Sequence, residues 1–179
     1  GSIREFREEV RALSMRGERT AIPQASWVSR MDPARRYPGF ERFFPWFVLG
    51  GFLMMGFWAA HIHEPWFDEA QGWLLVRDSS LWELLAQRLR MEGHPPLWYL
   101  VLYPFVRSGL PYEALNHLSV LLAAIGVAFL AFERRLPWPV RLVLPFTYFV
   151  GYQYSVVARS YVLFFPIVVG LARMWPSPW

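Results

Sequence analysis

From Phe43 to His63 the chain carries no formal charge. At about 1.5 Å per residue that run is long enough for one helix across a hydrocarbon core of about 30 Å. It is the first of four predicted spans, over 43–62. A second uncharged run from Ala114 to Phe132 predicts a span over 114–132, and two further apolar stretches predict spans over 142–158 and 160–175. The fold expected is all-α and integral to a membrane, with about four spanning helices.

Between the first two spans the pattern changes. Residues 68–77 and 81–91 read as two short helices, the second opened by Ser80 and Glu83 at capping-box spacing and stopped by Gly93. Leu81, Leu84, Leu85 and Leu89 share one face of it. Residues 95–106 are apolar but number only a dozen, short for a crossing. If they crossed, Arg134, Arg135 and Arg141 would fall outside; if they lie along the outer surface, the 114–132 span delivers all three to the cytoplasm, as the positive-inside rule asks. The stretch is therefore read as juxtamembrane, within an outer loop over 63–113. Before the first span, Ile3, Phe6, Val10 and Leu13 mark one face of an amphipathic helix over 3–15, expected to rest on the cytoplasmic surface. Residues 20–39, with Pro23, Pro33 and Pro38, read as a linker, so that 1–42 forms a cytoplasmic segment and 43–179 the membrane domain. Both termini are expected inside.

Composition agrees. Hydrophobic residues make up 55% and aromatics 18% of 179 residues, more than a water-soluble core of this size can hide. Every basic residue is an arginine, and the net charge of +4 sits in clusters flanking apolar runs, a topology signal that argues against a nucleic-acid partner. Cysteine is absent, which removes disulfides, thiolate metal sites and cysteine nucleophiles. The first apolar run begins too far along to read as a cleavable signal peptide.

Catalysis, if there is any, falls to carboxylates, His, Arg or hydroxyls, and the outer loop holds the candidates. Asp68 and Glu69 follow Trp66 and Phe67 at the outer mouth of the first span, where a carboxylate meets both water and headgroups and suits a general base. The competing reading makes Asp68, with Gln71 three residues on, a helix cap, and Glu69 a first-turn residue favoured by the helix dipole. His94, held extended before Pro95, suits a phosphate or metal contact, or a hydrogen bond at the interface and nothing more. Arg159 is the one charge between Arg141 and Arg173, beside Tyr152, Tyr154 and Tyr161. It suits a bidentate clamp on a phosphate, or a snorkelling contact to lipid. The outer tryptophans, Trp66 among them, suit sugar stacking or an interfacial belt. His61 and His63 stand two apart, off any shared helical face, so no structural zinc site is expected. No predicted span carries a charge at its middle, which argues against an ion path.

Taken in order, Phe67-Asp68-Glu69-Ala70, then His94-Pro95-Pro96-Leu97-Trp98-Tyr99, Glu133-Arg134-Arg135-Leu136 and Ala158-Arg159-Ser160-Tyr161 resemble the amino-terminal part of GT-C glycosyltransferases, in the branch of protein mannosyltransferases and aminoarabinose transferases. The resemblance covers roughly residues 43–175. It implies transfer of a sugar, with inversion, from a polyprenyl-phosphate donor at the outer face of a bacterial inner membrane. In that scheme Asp68 is the base, Glu69 a supporting or metal-orienting carboxylate, and His94 and Arg159 donor-phosphate contacts, with Tyr161 and Trp66 also on the substrate side. A divalent metal is compatible with the scheme but not required by it. Family members are several hundred residues long with many more spans. The chain then reads either as a partial glycosyltransferase or as a non-catalytic membrane subunit derived from such a module, packed among other subunits.

Overall fold

The computed structural model describes residues 39–93 and 95–175. The amphipathic segment 3–15, the linker 20–39 apart from Gly39, and His94 lie outside the described residues. The chain divides into two compact units, Gly1–Phe40 and Glu41–Trp179, and the second holds the helical passes and the candidate site. The described residues are helical, with no strand among them.

Helix α1 covers Phe40–Ile62. Two helices follow in the loop, α2 over Phe67–Arg77 and α3 over 81–92, the latter interrupted by a π-helical turn at Leu84–Arg88. Ser80 caps the helix as its spacing suggests: its hydroxyl accepts the Glu83 backbone N–H at 3.2 Å, while the Glu83 carboxylate pairs with Arg88. Gly93 ends α3 in the left-handed region at φ 65°, where a side chain would be strained. Helix α4 (Leu97–Arg107) packs along α2 and donates from Arg107 to the Ser79 carbonyl at 3.1 Å. Helix α5 (Leu115–Ala131) is entered through a 3-10 turn at Tyr112–Ala114. Helices α1 and α5, the latter counted with its 3-10 entry, are each long and apolar enough to cross a membrane.

The stretch 142–158 departs from the single helix expected of it. It holds the end of α6 (Trp138–Val143), a 3-10 turn at Leu144–Phe146 and a π-helical turn at Phe149–Gln153. The cause is local: Pro145 offers no N–H to an α-helical ladder, and Thr147 turns extended at ψ 155° while its hydroxyl caps the Leu144 carbonyl at 2.8 Å. A last 3-10 turn at Ser160–Leu163 leads into α7 (Phe164–Met174).

Cross-contacts give these segments their directions. Trp46 meets Phe132, and Phe57 stacks on His117, so α1 and α5 are antiparallel. Gly51 faces Phe146 and Gly151 faces Met55, so the broken segment climbs alongside α1. Gly126 faces Phe165 and Pro166 while Phe129 faces Gly170, so α7 descends with α5. Among the described residues, α1, α5, the broken segment and α7 thus run in alternating directions between two ends. One end gathers Glu41, Ala131, Glu133, Arg141 and Arg173: Arg141, 2% exposed, donates to both Glu41 oxygens at 2.5 and 3.0 Å and to the Ala131 carbonyl at 3.2 Å, and Arg173 stands 3.5 Å from Glu133. The other end carries α2 to α4 and the candidate site.

Close packing of the passes depends on small residues. A Cβ at Gly126 would stand 2.7 Å from the Phe165 ring and 2.9 Å from Pro166 backbone atoms, which cannot yield as a flexible side chain does. Gly126→Val is expected to cost about 1–3 kcal/mol of stability in detergent unfolding. Gly50→Val, with nothing within 4 Å of its new Cβ, is the matched control and should not lower the midpoint.

One seam of α1 is fully buried: Phe44, Val48, Phe52, Gly56 and Ala60, four apart, face inward. Phe43, Trp46, Phe47, Met54, Trp58 and Ile62 stand exposed. A row of large apolar side chains left uncovered along a long helix is what a lipid environment tolerates and water does not.

Candidate active site

The site is organised around Glu69, which is 1% exposed. The chain leaves α1 through His63-Glu64-Pro65 and reaches Trp66 in extended conformation, the residue that caps α2. Glu69, at the third helical position, turns back to accept the Trp66 backbone N–H on Oε2 at 2.7 Å. Asp68 is therefore not the cap of this helix; it lies inside the first turn and its side chain is directed elsewhere.

Three further donors converge on Glu69. His63 donates from Nε2 to Oε2 at 2.9 Å, and Oε1 accepts Asn116 Nδ2 at 2.7 Å and the Ala158 backbone N–H at 2.6 Å. The other ring nitrogen of His63, Nδ1, is hydrogen-bonded to the Tyr152 hydroxyl at 2.9 Å. Asn116 spends its second amide hydrogen on the Val156 carbonyl at 2.8 Å. One carboxylate thus ties the end of α1, the start of α2, the start of α5 and the 152–158 segment together. Each Glu69 oxygen already accepts two N–H bonds, so no lone pair is left to orient a metal, and the supporting role that the family resemblance implies becomes a structural one. Among the described residues, no three or more His, Asp or Glu side chains cluster closely enough to hold a metal ion.

The Glu69 to Ala158 bond sets the neighbouring residues side by side. Asp68, next to Glu69, faces Arg159, next to Ala158, and Arg159 Nη1 donates to Asp68 Oδ2 across 91 residues of sequence. The Asp68 side chain is 48% exposed and that of Arg159 18%. The guanidinium also sits over the Tyr161 ring, 5.6 Å from its centroid, a cation–π contact that fixes its plane. Asp68 and Arg159, paired with each other, line a cleft of about 240 Å³, with Trp98, Tyr99, Ser160 and Met91 also in its wall.

The expected site residues therefore separate into groups. Asp68 and Arg159 share the cleft; Tyr161 supports Arg159 from beneath; Glu69 is sealed below as a tie. Trp66 is half-exposed beside the His63 ring and contributes nothing to the cleft wall. His94 lies outside the described residues, although Met91 and Trp98 on either side of it in sequence both line the cleft. Sequence reasoning missed Asn116 and His63 as partners of Glu69. The signal was present only in part, as an Asn at the polar mouth of an apolar run.

Family models, curated proteins and solved structures offer no match to this chain. What the site can do rests on its own chemistry. It offers a cation held over Tyr161, a half-solvated carboxylate paired with it, and Ser160 beside them in one cleft suited to a small polar ligand.

Proposed function

We propose that the chain is the membrane-embedded part of an inverting glycosyltransferase that takes its sugar from a polyprenyl-phosphate donor at the outer face. The observation that carries this reading is the meeting of Asp68 and Arg159 on one cleft, at the end of the passes that also bears the polar outer helices. In the step, the acceptor hydroxyl oxygen bonds to the sugar's anomeric carbon as its proton passes to Asp68. The bond from that carbon to the donor phosphate breaks, and its electron pair leaves with the lipid phosphate, whose charge Arg159 receives.

Four membrane passes with both ends of the chain on the cytoplasmic side fit this scheme. The alternating course of α1, α5, the 138–157 segment and α7 supports it, as do the apolar surfaces they leave uncovered. The absence of cysteine makes the topology directly testable. Cysteines placed singly at Glu83 and Arg134 should react with a membrane-impermeant maleimide from opposite sides, Glu83→Cys in intact cells and Arg134→Cys only after permeabilisation. Labelling of both from one side would remove the proposed site from the outer face. The activity itself is tested by incubating the purified chain in nanodiscs with a radiolabelled isoprenyl-phosphate sugar and a panel of peptide, saccharide and lipid hydroxyl acceptors, and following release of isoprenyl phosphate together with movement of label from donor to acceptor. No turnover across a panel of such sugars would favour the non-catalytic subunit reading.

A further inference from the structure

Two observations at the cleft pull in opposite directions. Asp68 and Arg159 are in contact, whereas displacement with inversion needs the sugar between the base and the leaving phosphate. A carboxylate turned to the guanidinium is also not turned toward an acceptor hydroxyl. Both difficulties disappear if the pair opens when a phosphate arrives.

We propose that Asp68 is a displaceable counter-ion: it occupies Arg159 in this structure, and a lipid-linked phosphate ester takes its place, releasing the carboxylate toward the acceptor. The inference rests on the glycosyltransferase reading for the meaning of the release, but the exchange itself is a property of three charges. Arg159 is the anchored partner. Tyr161 lies under its guanidinium, and the backbone beside it is fixed by the Glu69 to Ala158 bond. Asp68 is the partner free to move, because its side chain is nearly half in solvent while its backbone belongs to the well-tied first turn of α2. A partly exposed pair of this kind is weak, so an incoming phosphate ester, whose two unesterified oxygens match the guanidinium fork, outcompetes it. The order of events follows: donor phosphate first, acceptor deprotonation second, so that the base is unmasked only when there is a sugar to transfer.

The test is a binding measurement with no turnover in it. A short isoprenyl monophosphate is titrated by calorimetry into the full chain held in nanodiscs of zwitterionic lipid. Asp68→Asn, which removes the competing charge, is expected to tighten binding about three- to fivefold, the scale of one exposed ion pair. Arg159→Gln is expected to weaken it about tenfold or more, and Asp68→Asn in the Arg159→Gln background should bring no tightening. The uncharged isoprenol should bind alike to wild type and Asp68→Asn. Equal or weaker affinity in Asp68→Asn overturns the proposal, as does tightening that the neutral alcohol shares. Effective competition by equimolar inorganic phosphate would overturn the lipid-linked assignment, and failure to compete supports it. If Asp68→Asn does not purify folded, Asp68→Ser carries the same expectation. Tightening without any sugar transfer would leave the exchange standing and remove the transferase reading; transfer with unchanged affinity would do the reverse.

Discussion

Replacing Glu69 with alanine is expected to cost the folded chain about 3–5 kcal/mol, enough to prevent its recovery as a folded species from mild detergent. The size follows from what the substitution strands. Four N–H groups, from Trp66, His63, Asn116 and Ala158, lose their acceptor at once, and the buried site is closed to replacement by water. The loss is also topological, since the four donors belong to separate segments and the carboxylate is where they meet. Glu69→Gln tests the charge apart from the shape. It keeps the volume but presents an amide NH2 to two donors, so a smaller cost of about 1–3 kcal/mol is expected. Thermal or SDS unfolding in detergent reads both. An Asp68→Asn midpoint close to wild type is the internal comparison, because Asp68 is half-exposed and makes its ion pair at the surface. If Glu69→Ala unfolds with Asp68→Asn and wild type, the carboxylate does not tie the segments together.

That two adjacent acidic residues play such different parts is half legible in the sequence. Their position at the mouth of an apolar run marks both, and periodicity places both in a helix's first turn. It does not say which faces inward, because the cap lies at Trp66 and not at Asp68, and a shift of two residues along a helix turns a side chain by more than half a circle. The partners of Glu69 are less legible still. His63 reaches it around a non-helical corner at Pro65, and Asn116 comes from 47 residues away.

Elements with continuous local cause are legible in the chain itself: the two long apolar helices, the Ser80 cap, the Gly93 stop, and the short helix at 97–107 lying against α2. The 142–158 segment reads as one helix only while its uncharged composition outweighs Pro145 and Gly151. A Cβ at Gly151 would stand 2.8 Å from the Met55 side chain and 3.0 Å from the Pro145 carbonyl, so that glycine marks a close approach of backbone to α1 that hydropathy does not register. Breaks of this kind matter here, since the turns after Gln153 are what present the Ala158 N–H to Glu69 and Arg159 to the cleft.

The second large expectation concerns turnover. If Asp68 takes the acceptor proton, Asp68→Asn should lower sugar transfer by about 10²- to 10⁴-fold, the usual contribution of a positioned general base. Asparagine keeps the side chain's size and can still accept a hydrogen bond from Arg159, so the fold and the cleft should survive and the loss should appear in kcat. The donor KM sharpens the expectation. A damaged site would raise it, whereas removal of a counter-ion that competes with phosphate should leave it equal or lower, and a fall in kcat alongside a steady or falling KM is hard to produce by structural harm. Arg159→Gln should show the opposite balance, with the donor KM rising as the phosphate loses its cation and kcat falling with it, since the same guanidinium receives the leaving charge. Transfer assays across a donor concentration series distinguish the two patterns. Full activity in Asp68→Asn would mean that the proton goes elsewhere, and the carboxylate at the cleft would then be a partner of Arg159 and nothing more.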